Sequence, residues 1–291
     1  MHRKKFLHSL AIVPMTGIAL KLQHLLRATE SLNPTEKMPV LFLGHGSPMN
    51  AIEDNEFARG WRAIGQSLPR PNAILCISAH WETRGTYVTA MEKPKTIHDF
   101  GGFPQALFDV EYPAPGSPEL AAQTKQLVNS IEVGLDQSWG LDHGCWSVVK
   151  RLYPAADIPV IQLSLDYQQG PQYHFQLAKE LNALRKKGIL IVGSGNMVHN
   201  LGIIDWDNPA SGYDWAIEAN TTMKRFITHG DFSSLINYQA QGKAFQLSIP
   251  TPEHYLPLLY TLGMKEEKDE ISFFNDRTVM GSISMTSVKI G

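Results

Sequence analysis

Four short, mostly apolar runs constrain the fold of this chain more than any other feature of its sequence. They are MPVLFLG at 38–44, NAILCISAHW at 72–81, IPVIQLSLD at 158–166 and ILIVGSGN at 189–196. Strands of a parallel sheet, which are buried on both faces, have this character. Segments with helical signals lie between the runs, and this alternation is typical of βαβ units. The pattern therefore predicts an α/β fold with a mainly parallel central sheet flanked by helices.

The strand and helix pattern begins at Met38, so we expect one domain over 38–291 and an N-terminal extension over 1–37. The extension joins a basic start, HRKKF, to the apolar stretch LAIVPMTGIAL. It is interpreted as a helical or signal-like segment. No apolar run reaches the roughly 20 residues that a membrane-spanning helix needs. A cytoplasmic location is expected, with export through the extension as the alternative.

Composition excludes several classes of protein. The 291 residues carry a formal net charge of -2, so no basic surface for nucleic acid is expected. The two cysteines, Cys76 and Cys145, cannot form a disulfide framework, and their spacing is not that of a zinc finger. Nothing in the pattern indicates an oligomeric state.

Histidines recur where the predicted strands end. His45 in GHGSP and His199 in SGNMVHN each follow one of the apolar runs, and His80 in SAHW follows the segment ILCISA of the second run. His254 in TPEHY is predicted in the first turn of a helix, with Thr251 as its N-cap. Because ligands of open α/β sheets bind at the carboxyl ends of the strands, the four histidines together predict a metal site at this edge. Each of them alone could equally be an ordinary hydrogen-bonding residue.

The remaining histidines have different surroundings. His143 in DHGCW precedes a predicted helix and could be a metal ligand or an acid–base group. His98 lies in a long aromatic loop, KPKTIHDFGGFPQALFDVEYPAPGSP, where it could cover the site or simply lie on the surface. His174 and His229 are predicted on solvated helices.

The motifs GHGSPM, SAHW, IHDFGGFP, DHG, SGNMVHN and TPEHYLPLLY, in this order, resemble those of the class III extradiol ring-cleaving dioxygenases. The closest group is the 4,5-DOPA dioxygenase family, within the protocatechuate 4,5-dioxygenase superfamily. The resemblance covers about residues 38–291.

This resemblance implies a non-haem metal bound by histidines that match His45, His80, His199 and His254. More distant members use two histidines and a carboxylate, and there the residue matching His199 is an acid–base group. His199 is therefore either a fourth ligand or a catalytic base. His143 matches a histidine that contacts the substrate.

The function that the resemblance implies is extradiol cleavage of a catechol, such as L-DOPA, by O2. Fe(II) is expected for activity, and zinc is a plausible occupant of an imidazole-rich site. His143 and His199 are the expected catalytic residues, and His98 is expected to contact the substrate.

Two alternatives use the same histidines. One is a zinc hydrolase, for which Glu253, Asp99 and Asp142 are the nearby carboxylates that could act as a base. Glu253 itself is expected to point away from the site, because adjacent residues of a helix face different directions. The other alternative is a metal-binding protein without catalysis.

Overall fold

The computed structural model describes residues 37–291, and the N-terminal extension up to residue 36 lies outside the described part. The described part of the chain has ten strands, which form one eight-stranded sheet and one hairpin. In chain order they are β1 Val40–Gly44, β2 Ala73–Thr83, β3 Thr86–Thr89, β4 Val133–Asp136, β5 Val160–Asp166, β6 Ile189–Gly195, β7 Ile271–Phe274, β8 Thr278–Val279, β9 Ile283–Ser284 and β10 Ser287–Ile290.

The large sheet has the order β4-β3-β5-β2-β6-β1-β10-β7, and its four central strands, β5, β2, β6 and β1, are parallel. β3 and β10 run antiparallel to their inner neighbours. The four predicted apolar runs form the four parallel strands, and β1, β5 and β6 are buried along their whole length. The predicted fold class, an α/β fold with a mainly parallel central sheet, is confirmed.

Within residues 37–291, nine α-helices connect and cover the strands. They are α1 Glu56–Ser67, α2 Gln105–Phe108, α3 Pro118–Leu127, α4 His143–Leu152, α5 Pro171–Leu181, α6 Asp214–His229, α7 Phe232–Ile236, α8 Lys243–Ser248 and α9 Leu256–Gly263. Four 3-10 segments, Pro48–Ala51, Asn182–Lys187, Leu201–Ile203 and Tyr238–Ala240, complete the described part. No described helix is long and apolar enough to cross a membrane.

Two hydrophobic cores lie on opposite faces of the sheet, because successive side chains of a strand point to opposite sides. Phe42 belongs to the core that includes residues of α5, α6 and α9. Leu41, its neighbour in β1, belongs to the core that includes Trp61 of α1 and Trp146 of α4. Helices therefore cover both faces, and the carboxyl edge of the central strands stays available for a site.

Three expectations about the histidines' surroundings are wrong. His80 does not follow its strand but lies within β2, in the stretch between Ile77 and Glu82 where the register with β5 shifts. His254 lies in a turn, and the helix begins two residues later, at Leu256. His174 of α5 is fully buried, because α5 packs against α9 and places this ring beside the Tyr260 hydroxyl, 3.2 Å from its Nδ1.

Candidate metal centre

Three histidines from three segments meet at the carboxyl edge of the sheet. Ligand nitrogens of His45, His80 and His254 all lie within 4.8 Å of one another. His45 directly follows β1, and its backbone N–H donates to the Gly195 carbonyl at the end of the adjacent β6. The neighbouring parallel strands thus fix the position at which this ring leaves the sheet.

Close backbone packing brings the third histidine to the same edge. The backbone N–H of Asn196, just after β6, donates to the His254 carbonyl oxygen over 2.8 Å. A Cβ atom on Gly195 would lie 2.1 Å from that oxygen, so only glycine fits at this position. The glycine-rich end of β6 therefore lets the turn that carries His254 approach the sheet.

The hydrogen bonds of His45 define which ring nitrogen is free. Its Nδ1 lies 3.0 Å from the Ser194 hydroxyl, which itself donates to the Gly144 carbonyl at 2.5 Å. Because a hydroxyl has one proton, Ser194 accepts the Nδ1 proton of His45. The Nε2 atom of His45 is consequently an unprotonated acceptor.

The outer nitrogens of the other two rings face carboxylates. Nδ1 of His80 lies 3.3 Å from Oδ2 of Asp99, and Nδ1 of His254 lies 3.2 Å from Oε1 of Glu253. A carboxylate beside Nδ1 favours the proton at that position, which leaves Nε2 as the ligand atom. The expectation that Glu253 points away from the site is wrong, because its carboxylate contacts His254. The reason is that residue 253 lies in a turn and not on a helix.

The donor set fits a cation. Nε2 of His45 lies 3.2 Å from Nε2 of His80, so the two nitrogens are close enough to bind the same cation. Metal–imidazole bonds of about 2.1 Å place neighbouring ligand nitrogens about 3.0–3.4 Å apart. The three ring planes are mutually inclined, by 45°, 59° and 88°. The chain therefore has a histidine-rich site that could bind a metal.

His199 lies in the same region but is oriented differently. Its backbone N–H donates to the Ser248 carbonyl, and its ring stacks on that of His254 with 3.5 Å between centroids and 7° between planes. Its group of mutually close ligand atoms includes Glu253 and His254 but neither His45 nor His80.

His143, the first residue of α4, completes the cluster from the other side. Its ring centroid is 3.9 Å from that of His80. Its Nδ1 lies 3.0 Å from Oδ2 of Asp99, and its backbone N–H donates to Oδ1 of the same carboxylate. Asp142 caps α4 by accepting the Cys145 N–H, and it also accepts the hydroxyl proton of Ser78 in β2. The start of α4 is thereby fastened to the strand that carries His80.

The long aromatic loop folds over this cluster. Phe100 packs edge-on against His143, with ring centroids 5.4 Å apart, and also against Phe103 and Phe108. Nε2 of His98 lies 3.0 Å from the Val110 carbonyl oxygen. The structure thus places His98 within the loop, with its Nε2 next to a backbone oxygen and not in the histidine cluster.

Burial keeps the rings of four of these histidines neutral, namely His45, His80, His199 and His254. Burial lowers the pKa of His45 and His254 well below the ordinary value, and the neighbouring imidazoles lower it further. Burial is also the main cause that lowers the pKa of His80 to about 3 and that of His199 to about 4. Neutral imidazole is the form that binds metals, so the cluster is prepared for a cation at neutral pH.

Burial raises the pKa of the Asp99 carboxyl, but its contacts with His143 outweigh this effect and leave that pKa below its ordinary value. Asp99 is therefore an ionised carboxylate at neutral pH.

The sequence analysis considered Asp99 and Glu253 only as bases of the hydrolase alternative. The sequence did contain a signal for a role of both carboxylates near the histidines, because each lies within a histidine motif. The contact between Asp99 and His143, however, depends on the tertiary fold.

Comparison with known proteins shows the family of the chain. A family model described as the catalytic LigB subunit of aromatic ring-opening dioxygenase matches residues 39–283. Proteins named 4,5-DOPA dioxygenase extradiol are similar to the chain. One from Escherichia coli is 52% identical over 259 residues, covering 88% of this chain and 95% of the relative. One from Beta vulgaris is 35% identical over 263 residues, covering 85% of this chain and 94% of the relative.

The fold has a similar solved structure. The crystal structure of an uncharacterized Escherichia coli protein matches with a TM-score of 0.77 and 47% sequence identity, covering 87% of this chain and 100% of that one. The match of the family model over most of the described domain agrees with the resemblance carried by the sequence motifs. The chain belongs to the LigB family of aromatic ring-opening dioxygenases.

Proposed function

We propose that this protein is an Fe(II)-dependent extradiol dioxygenase that opens the ring of a catechol, such as L-DOPA, with O2. The observation that carries the proposal is the convergence of His45, His80 and His254 beside His143 and an aromatic loop. The family implies an aromatic substrate and O2. The relatives named 4,5-DOPA dioxygenase extradiol support a catechol as the substrate class.

His45, His80 and His254 are the ligands in this proposal. Each ring has its Nδ1 next to a hydroxyl or carboxylate oxygen, so each can present Nε2 to one shared point. Bound Fe(II) would supply the redox chemistry between catechol and O2 that zinc, which has no accessible second oxidation state, does not supply.

Two histidines remain to handle protons. His143 lies beside His80, and Asp99 next to its Nδ1 leaves Nε2 as the atom that would accept a catechol proton. His199 is the second acid–base group, because its ring is nearly parallel to that of His254. A metal bound to an imidazole lies close to the plane of the ring, and two nearly parallel planes do not share such a point.

The aromatic loop provides the wall of the substrate site. Phe100 already packs edge-on against His143, and a catechol ring next to His143 would make the same kind of contact. Such a wall also excludes water from the reacting groups. In this proposal His98 contributes to substrate binding through the loop conformation that its contact with Val110 supports.

Metal and oxygen dependence test the proposal. Protein loaded with Fe(II) is expected to consume O2 and give a yellow product from L-DOPA or a related catechol, whereas zinc-loaded protein is expected to be inactive. Zinc-supported turnover that continues without O2 would favour a hydrolase. No turnover and no oxygen uptake with either metal, over a broad panel of catechols, would favour a metal-binding protein without catalysis.

Two further expectations belong to this proposal. We expect residues 38–291 to be the catalytic domain and the protein to be cytoplasmic, with export through the N-terminal extension as the alternative. Cell fractionation with the full chain tests the location. Activity of a variant that begins at Met38 tests the domain boundary.

A further inference from the structure

We propose that Asp99 is a positioning residue that holds His80 and His143 at once, so that one carboxylate couples metal binding to proton transfer. This inference rests on the proposed function, since it takes His80 as a metal ligand and His143 as the base. Neither the family match nor the motif resemblance assigns this role to Asp99.

The carboxylate lies between the two rings. Its Oδ2 is 3.0 Å from Nδ1 of His143 and 3.3 Å from Nδ1 of His80. Oδ1 accepts the backbone N–H of His143 over 2.8 Å. Asp99 therefore contacts both the side chain and the backbone at the start of α4, as well as a ring that belongs to β2.

Asp99 lies behind His80 and not among the ligand atoms of the three-histidine cluster. Nε2 of His80 faces His45 at 3.2 Å, while Nδ1, on the opposite side of the ring, faces Asp99. A carboxylate behind a ligating imidazole fixes the tautomer and the ring orientation and makes the ligand more basic. The same oxygen does this for His143, whose Nε2 is then the atom free to take a proton.

The position of Asp99 in the sequence also connects the aromatic loop to His80 and His143. Its neighbour Phe100 packs against His143, and its other neighbour, His98, lies within 3.0 Å of the Val110 carbonyl oxygen. The loop segment that covers the site is thus attached to a metal ligand and to the base through one side chain. Loss of the Asp99 carboxylate should weaken metal binding through His80 and proton transfer through His143, while the rest of the loop stays folded.

The first test measures zinc affinity by competition with a chelator, without catechol and without turnover. Asp99→Asn is expected to weaken zinc binding about 10- to 100-fold, and Asp99→Glu, which keeps the charge, is expected to lose less. Asp109→Asn is the matched control, because Asp109 is an exposed carboxylate of the same loop that pairs with Gln105. Unchanged affinity in Asp99→Asn, or equal losses in Asp99→Asn and Asp109→Asn, would overturn the proposal.

A second pair of variants separates the two contacts. In a His143→Ala background, Asp99→Asn should still weaken zinc binding, because it acts through His80. With the metal site saturated and His143 present, Asp99→Asn should lower kcat more than it changes KM, because it acts through His143. Loss of the zinc effect in the His143→Ala background, or a wild-type kcat in saturated Asp99→Asn, would overturn the coupling.

The zinc-affinity test of Asp99 remains valid even if the protein does not cleave catechols. A wild-type protein that binds zinc but does not cleave catechols would refute the dioxygenase activity and leave the affinity test of Asp99 intact. Thermal unfolding of each metal-free variant shows whether it is folded. Since the Asp99 side chain is 19% exposed, the variants are expected to fold, and a folded Asp99→Glu that binds zinc no better than Asp99→Asn would contradict the role of the charge.

Discussion

The imidazole rings of His199 and His254 lie face to face, with their centroids 3.5 Å apart and their planes 7° from parallel. The lone pair of an imidazole nitrogen lies in the ring plane, so a bound metal lies near that plane as well. Two nearly parallel planes that are separated by a stacking distance do not meet at a bonding distance. The two histidines are therefore not equivalent, although both stand at the carboxyl edge of the sheet.

Metal content should distinguish His199 from His254. His254→Ala is expected to lose bound metal, because it removes one of the three convergent nitrogens. His199→Ala is expected to keep the metal and to lower kcat by about 10²- to 10⁴-fold, as expected for loss of an acid–base group. Metal analysis and oxygen-uptake kinetics on the two purified variants check this. Equal metal loss in both variants would instead make His199 a fourth ligand.

His143→Ala should separate binding from turnover in a similar way. The variant is expected to bind zinc close to wild-type affinity and to lose about 10²- to 10⁴-fold in kcat, because His143 is placed to accept a proton and not among the three converging nitrogens. His229→Ala serves as the control, since His229 is exposed at the end of α6. A His143 variant that retains turnover would exclude this residue as the base.

Gly195 should be intolerant of a side chain. A Cβ on Gly195 would lie 2.1 Å from the backbone oxygen of His254, whereas a Cβ on Gly101 would have no atom within 4 Å. Gly195→Ala is therefore expected to displace His254, to weaken metal binding, and to cost about 1–3 kcal/mol of folding free energy. Gly101→Ala should leave both quantities unchanged. Denaturant unfolding and zinc affinity measure the two effects, and an unaffected Gly195→Ala would contradict the packing argument.

The stability of the metal-free protein should fall in mild acid. Burial lowers the pKa of His45 and His254 well below the ordinary value of 6.5, and it lowers the pKa of His174 to about 4. The unfolded chain then binds more protons than the folded one below pH 6.5, so the free energy of unfolding decreases as the pH falls from 6.5 toward 4. Above pH 6.5 these groups impose no such loss.

Urea unfolding of the metal-free protein at about pH 7.5 and about pH 5 checks this pH dependence. His174→Leu should show a smaller difference between the two conditions, because it removes one buried titrating ring outside the metal cluster. His229→Gln, an exposed replacement, should show the wild-type difference. Equal stability of the wild-type protein at both pH values would contradict the buried, neutral state of these histidines.

The sequence predicted the strands better than it predicted the contacts between segments. His45 follows its strand as expected, because apolar runs and glycine exits are local signals. His80 lies inside β2, because the strand continues through the register shift between Ile77 and Glu82 and ends at Thr83. His174 is buried because α5 packs against α9, a tertiary contact that helix periodicity does not reveal.

The contacts of the two carboxylates at the site, Asp99 and Glu253, were likewise not predictable from local sequence signals. Asp99 is far in sequence from both His80 and His143, and only the fold of the loop places its carboxylate between the two rings. Glu253 contacts His254 because the residues form a turn, whereas the N-terminal helix signals around Thr251 predicted an earlier helix start. The metal-binding type of site was thus predictable from histidines at the sheet edge, but the groups that orient them were not.

The most direct test of the proposed function follows the oxygen atoms. Fe(II)-loaded protein is incubated with a catechol under isotopically labelled O2, and the ring-opened product is analysed by mass spectrometry. Extradiol cleavage predicts one O2 consumed for each catechol, with label retained in the new carboxylate. A product that carries no label, or catechol loss without matching oxygen uptake, would contradict the assignment of this protein as a ring-opening dioxygenase.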